Sequence, residues 1–139
     1  MILLDTSGLL AALDESQTHH EVCRDALNSA RPPMLLSPFV LAELDYLLAT
    51  KIGIEAELAL LDEVAREAYQ LETFDSADIQ AARDVISKYA DLEIGLADAS
   101  LVILSERHGT MDVLTLDVRH FSALRGARGK RFRIWPEPN

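Results

Sequence analysis

The chain opens Met1-Ile-Leu-Leu-Asp-Thr-Ser-Gly-Leu-Leu10. Ile2 to Leu4 is apolar without interruption, the pattern of a strand buried on both faces, as in a parallel sheet. The run stops at Asp5, and Thr6-Ser7-Gly8 carries the chain from strand to helix. Met34-Leu35-Leu36 is a second such run, and Asp112-Val-Leu-Thr-Leu-Asp117 repeats the opening pattern, a short apolar strand running out into an aspartate. Strands alternating with helical stretches require βαβ units, hence an α/β fold with a mostly parallel sheet and right-handed crossovers.

The intervening segments read as helices. Thr18 to Ala30 places Val22, Cys23, Ala26, Leu27 and Ala30 on one stripe; Pro32-Pro33 then ends it. Ser37-Pro38 is a strong helix start, with Ser as the cap and Pro in the first turn. The helix to about Lys51 carries Phe39, Val40, Leu44, Leu47 and Leu48 inward. Ile54 to Ala68 forms an acidic amphipathic helix with Leu58, Leu61, Val64, Ala65 and Ala68 inward, adding a helical layer between the second and third strands. Tyr69 to Phe74 alternates as a short strand, and Asp75 or Ser76 caps a helix to Tyr89. Leu96 to His108 is a further helix closed by Gly109. Val118 to Leu124 makes a short one, and Phe132 to Trp135 a last edge strand.

At 139 residues without repeats or linkers, the chain suits one domain spanning 1–139. No apolar run is long enough to cross a membrane, and a strand beginning almost at Met1 leaves no room for a signal peptide. The single cysteine, Cys23, reads as a small buried thiol compatible with a reducing, cytoplasmic setting. A formal charge of −10 argues against nucleic acid as a partner, but the charge is unevenly spread. Arg119, Arg125, Arg128, Lys130, Arg131 and Arg133 are six of the thirteen basic residues, and no acid lies between Val118 and Pro136. That segment is either a solvated surface or a local patch for phosphates or an acidic partner.

Four acids fall at matching places. Asp5 and Asp117 lie just beyond strand ends, while Glu43 and Asp98 lie on the inward sides of helices. In a parallel sheet these locations converge on the carboxyl ends of the strands, where such folds bind ligands. Each has a plainer reading. Asp5 and Asp117 also suit helix caps, Asp98 suits the positive end of its helix dipole, and Glu43 suits a stripe edge that reaches solvent. Together the four are harder to dismiss, because two carboxylates about 5 Å apart repel by roughly 3 kcal/mol at an effective dielectric of 20. A divalent cation relieves that strain, and an all-oxygen set selects Mg²⁺ or Mn²⁺. Carboxylate-held Mg²⁺ is commonly completed by phosphate oxygens, which points to a phosphodiester substrate. Thr6, Ser7 and Thr115 are placed to hydrogen-bond metal waters or to orient the aspartates. Of the four histidines, only His120 falls near a candidate acid; His19 and His20 read as exposed, and His108 as a helix-end residue favoured by the dipole.

The segments Leu3-Leu-Asp5-Thr-Ser, Ser37-Pro-Phe-Val-Leu-Ala-Glu43, Ile94-Gly-Leu-Ala-Asp98-Ala-Ser and Thr115-Leu-Asp117-Val-Arg-His-Phe121 occur in an order and spacing that resembles the PIN-domain ribonucleases of the VapC toxin type. The resemblance runs through nearly the whole chain. It implies a three-layer PIN fold, Mg²⁺- or Mn²⁺-dependent endoribonuclease activity with Asp5, Glu43, Asp98 and Asp117 as the acidic quartet, homodimerisation, and neutralisation by a VapB-like antitoxin. Val40 to Thr50 also looks like toxins that cut the sarcin–ricin loop of large-subunit rRNA, and tRNA is another substrate of the family. Many relatives carry a further acid shortly after the last aspartate; here Arg119 and His120 stand there, and Arg119 becomes a candidate phosphate contact. With Arg125, Arg128, Lys130 and Arg131, it forms the candidate RNA-binding set. The rival reading is a catalytically silent module of the same fold that binds RNA or a basic peptide.

Overall fold

The computed structural model describes residues 1–138. Five strands, β1 (Ile2–Leu4), β2 (Met34–Leu36), β3 (Gln70–Leu71), β4 (Asp112–Leu114) and β5 (Arg133–Trp135), form one sheet in the order β3-β2-β1-β4-β5. Every pairing is parallel, so the expected mostly parallel sheet is parallel throughout. The register sets Leu3 beside both Leu35 and Val113. Leu3, Leu4, Leu35, Leu36, Val113 and Leu114 are all fully buried, which is why these runs do not alternate. The chain winds outward from β1 to β3, then returns to the far side of β1 for β4 and β5. The reversal between β1 and β4 is the switch point that opens a crevice at the carboxyl edge.

Among the described residues seven α-helices cover the sheet: α1 (Thr6–Leu13), α2 (His20–Ser29), α3 (Pro38–Lys51), α4 (Ile54–Ala65), α5 (Ser76–Lys88), α6 (Leu96–His108) and α7 (Val118–Ala123). α6 is the interior one, with Ala99 through Ser105 buried without a break. Ser37 caps α3 as expected, its hydroxyl accepting from Phe39 N at 3.1 Å. The Ser37 and Ser100 hydroxyls meet at 2.7 Å, and Ser100 donates onward to Ala97 O, so a buried polar link fixes the start of α3 against α6. Asp75, rather than Ser76, caps α5 in a reciprocal box with Asp78.

Several expectations change. Leu58 and Leu61, expected inward on α4, are 51% and 38% exposed, and Leu60 is the buried residue instead. α4 also stops at Ala65, because Glu67 takes a left-handed backbone (φ 63°) and Ala68 N returns to Glu63 O. On α2, Val22 is half exposed and Cys23 alone is buried. His108 does end α6 as expected, but it also pairs with buried Glu72, and Arg107 reaches both Glu72 (3.2 Å) and Asp78 (3.0 Å). No described helix is long and apolar enough to cross a membrane.

Candidate active site

Asp5 leaves β1 with its backbone N–H bonded to Leu114 O of β4 at 3.0 Å, so it stands between the two strands at the switch point. Although it occupies the cap position of α1, its side chain makes no cap hydrogen bond. Instead Thr115 and Ser7 donate their hydroxyls to the same oxygen, Oδ2, at 2.6 and 3.0 Å. Ser7 Oγ in turn accepts from Leu116 N (3.0 Å), and Thr115 Oγ1 from Asp117 N (2.9 Å). This network fixes Asp5, Ser7, Thr115 and Asp117 relative to one another. Burial pushes the Asp5 carboxyl above its ordinary range; the Thr115, Ser7 and Thr6 hydrogen bonds oppose the rise, and the Asp117 charge adds to it. The fit depends on Gly8: a methyl group there would lie 2.5 Å from Leu114 O, so only glycine lets α1 sit this close to the end of β4.

Asp117 does cap its helix, accepting from His120 N at 3.0 Å through Oδ1. The two strand-end aspartates, alike in sequence, thus differ in fact. Asp117 Oδ2 faces His120 Nδ1 at 2.8 Å, and Asp98 Oδ2 approaches the same nitrogen at 3.2 Å. Asp98 lies in the first turn of α6. Burial first, then the Asp5 charge, push its carboxyl up to about 6; Asp117 and Glu43 add to this, and His120 works against it. His120 is aimed here because Phe121, its neighbour on α7, is fully buried and packed edge-to-face on Phe132 (5.5 Å, 88°).

The sequence places Glu43 within the inward stripe of α3. In the fold it is exposed, because the stripe that packs is Val40, Leu44 and Leu48, and Glu43 lies on its flank. It still lines the same cleft as Asp5, Asp98 and Asp117, a hollow of about 340 Å³ walled by Thr6, Ser7, Leu10, Leu47 and Gly95 to Ala97. The quartet therefore converges, with three aspartates inside and the glutamate on the rim.

The residues fit a divalent cation on three grounds. His120 Nδ1 is buried and close to two carboxylates, yet aligned for a hydrogen bond with neither. Thr6 Oγ1 is likewise buried without a hydrogen-bond partner at the wall of the cleft. The aspartates repel one another in a site with no cysteine, Cys23 being buried with Ala11 and Ala12 elsewhere.

A PIN-domain family model matches residues 2–127. The chain belongs to the PIN-domain family. As a PIN domain it is 44% identical to Ribonuclease VapC26 of Mycobacterium tuberculosis over 135 residues, which cover 97% of this chain and 100% of that one. Its fold is similar to that of VapC20 from Mycobacterium tuberculosis, a sarcin–ricin-loop-cleaving toxin, with a TM-score of 0.80 at 20% identity over 86% of this chain and 92% of the other. The VapBC complex of Salmonella typhimurium bound to DNA gives a TM-score of 0.67 at 21% identity, over 96% and 97% of the two chains.

The basic residues of this PIN domain do not gather at its acids. Arg119 is exposed on α7, two residues after Asp117, and does not itself line the cleft. Arg125 donates to the carbonyls of Ser122, Ala123 and Leu124, closing the end of α7. Arg128 and Lys130 line a separate hollow with Glu106 to Gly109, at the far end of α6 from Asp98 and so about 15 Å away along that helix. Arg131 is tied to Arg125 by an isolated β-bridge in the same loop, which leads into the amino end of β5. Because the sheet is parallel, a loop that precedes a strand lies at the edge opposite to the acids. Spacing along the chain could not reveal this, since Asp117 and Lys130 are close in sequence.

Proposed function

We propose that this PIN domain is a metal-dependent endoribonuclease toxin of the VapC kind. The observation that carries the reading is the convergence of Asp5, Asp98 and Asp117, with Glu43 at the rim, on one cleft at the switch point of a parallel sheet. The kinship with Ribonuclease VapC26 supports the ribonuclease assignment, and the acidic oxygen set supports Mg²⁺ or Mn²⁺ as the cofactor. The bound cation supplies Lewis acidity toward the phosphate and lowers the pKa of an attacking water. The protein's own part is positional. Thr115 and Ser7 hold Asp5 in one orientation, Asp117 is fixed by its cap bond, and Leu10 and Leu47 narrow the cleft. Thr6, whose buried hydroxyl has no hydrogen-bond partner, lines the same cleft.

Arg119 is proposed to contact the backbone phosphate next to the scissile bond. Arg128, Lys130 and Arg131 are proposed to touch a more distant part of a structured RNA, such as the sarcin–ricin loop of rRNA or a tRNA. Among the described residues none of these four cations has an ion-pair partner. The proposed protein partners are a VapB-like antitoxin and a second copy of the chain. Tyr46 on α3 and Ile54, Leu58 and Leu61 on α4 leave apolar surface facing outward, which a partner would cover.

The test is cleavage of total cellular RNA by the purified protein, with and without Mg²⁺ or Mn²⁺, beside Asp98→Asn. Discrete products that need the metal and vanish in the variant are expected. Equal cleavage by the variant, or products independent of metal, would overturn the assignment. Tight binding to a basic antitoxin peptide without any cleavage would favour the silent-module reading.

A further inference from the structure

We propose that His120 is itself a ligand of the divalent cation, joining Asp98 and Asp117 through Nδ1, so that the centre combines carboxylates with one imidazole. The proposal rests on the metal-dependent reading above and says which atoms carry it. His120 Nδ1 lies 2.8 Å from Asp117 Oδ2 and 3.2 Å from Asp98 Oδ2, and one ligand atom from each residue falls within 4.8 Å of the other two. Adjacent ligands on an octahedral ion with bonds of about 2.0–2.1 Å are about 3 Å apart. The two short separations are therefore those of neighbouring corners of one coordination shell.

A charged imidazolium bonded to Asp117 would explain the closeness equally well if its N–H pointed at the carboxylate. It does not: Nδ1 is shut off from water and has no aligned acceptor, an arrangement that leaves a buried N–H unsatisfied but suits a lone pair awaiting a cation. The ring is also held in place. Its backbone N–H is bound to Asp117 Oδ1, and the adjacent Phe121 is locked in the core against Phe132. The other histidines are remote from the cleft: His19 and His20 lie at the start of α2, and His108 pairs with Glu72.

An imidazole donor favours transition-metal ions over Mg²⁺. The consequence is a site that binds Mn²⁺ more tightly than Mg²⁺, by a margin that depends on His120. Replacing a group that merely orients a ligand costs about 10–100-fold in metal affinity, so His120→Ala should weaken Mn²⁺ by about tenfold or more and Mg²⁺ by less. His120→Asp should restore Mg²⁺ binding and lower the Mn²⁺ preference.

The measurement is Mn²⁺ titration followed by electron paramagnetic resonance, with pulsed detection of nitrogen coupling to the bound ion. Nitrogen coupling in the wild-type protein, lost in His120→Ala together with the affinity, is the expected result. The wild-type spectrum decides the matter even where the alanine variant folds poorly. Bound Mn²⁺ without nitrogen coupling, and with equal affinity in the variant, overturns the ligand assignment and leaves the metal-dependent nuclease standing. Failure of the wild-type protein to bind Mn²⁺ at all overturns both.

Discussion

With its carboxyl pushed up to about 6 by burial and by the Asp5 charge, Asp98 keeps its proton in the metal-free fold over a range where the unfolded chain has lost it. The folded state then binds more protons, so this residue's contribution to stability falls as pH rises from about 4 to about 6 and stays lost above that. Each tenfold change in proton affinity is worth about 1.4 kcal/mol, so the loss is on the order of 2–3 kcal/mol. Asp98→Asn removes it. Urea unfolding without metal should show the variant gaining on the parent between pH 4 and pH 7, and parallel profiles would contradict the assigned cause. Mn²⁺ at about 1,000 times its Kd should reverse the order, since it stabilises the folded state by about 4.1 kcal/mol and the variant lacks that gain. Asp5→Asn keeps an oxygen for the Ser7 and Thr115 hydroxyls, so circular dichroism should stay native while RNA cleavage falls by about a hundredfold or more. At this scale the acids are legible from their positions after apolar runs. Which of them are caps is not, because Asp5 and Asp117 share a local pattern, and the Asp5 side chain is held away from its helix by Ser7 together with Thr115, 110 residues away in the chain.

Among the elements, α1 shows how tightly the cleft is built. Helix propensity favours Gly8→Ala by up to about 1 kcal/mol, but the added methyl would meet the backbone of Leu114, which cannot rotate aside. Overpacking of this kind costs about 1–3 kcal/mol, so thermal denaturation of Gly8→Ala should show a net loss of stability. It should also lose cleavage, because Ser7 moves with the helix. A more stable variant would mean that α1 can slide without consequence. Element boundaries are largely readable: Ser37-Pro38, Gly109 and the continuous apolar runs set α3, the end of α6 and the central strands. The buried face of α4 is not, because Leu58, Leu60, Leu61 and Val64 are spread widely around the helix, and packing against α3 selects Leu60. Glu43 suffers the same ambiguity by one flank of α3.

Across the whole molecule, the acidic quartet and the cations Arg128, Lys130 and Arg131 occupy opposite edges of the sheet. If a structured RNA spans both, its binding weakens with salt in proportion to the phosphates engaged, with a log–log slope of about 0.7–0.9 per contact. Replacing Arg128, Lys130 and Arg131 together by Ala should then reduce that slope by about 2 for a long folded RNA, measured by filter binding across salt concentrations. An unchanged slope would confine RNA contact to the cleft and Arg119. The sheet order explains why composition alone misleads here: a chain with a formal charge of −10 still presents a cationic loop, because most of its acid-free carboxyl-terminal stretch folds onto one edge.

The network that joins Asp5, Ser7, Thr115 and Asp117 binds the two ends of the chain across its central pair of strands. A growing polypeptide emerges from its amino end, so Asp5 is made long before the hydroxyl that orients it and the carboxylate that faces it. An incomplete product lacking β4 and the start of α7 has neither, nor the strand edge against which β1 must lie. A chain that stops short of β4 therefore cannot assemble the cleft, whatever its first helices do.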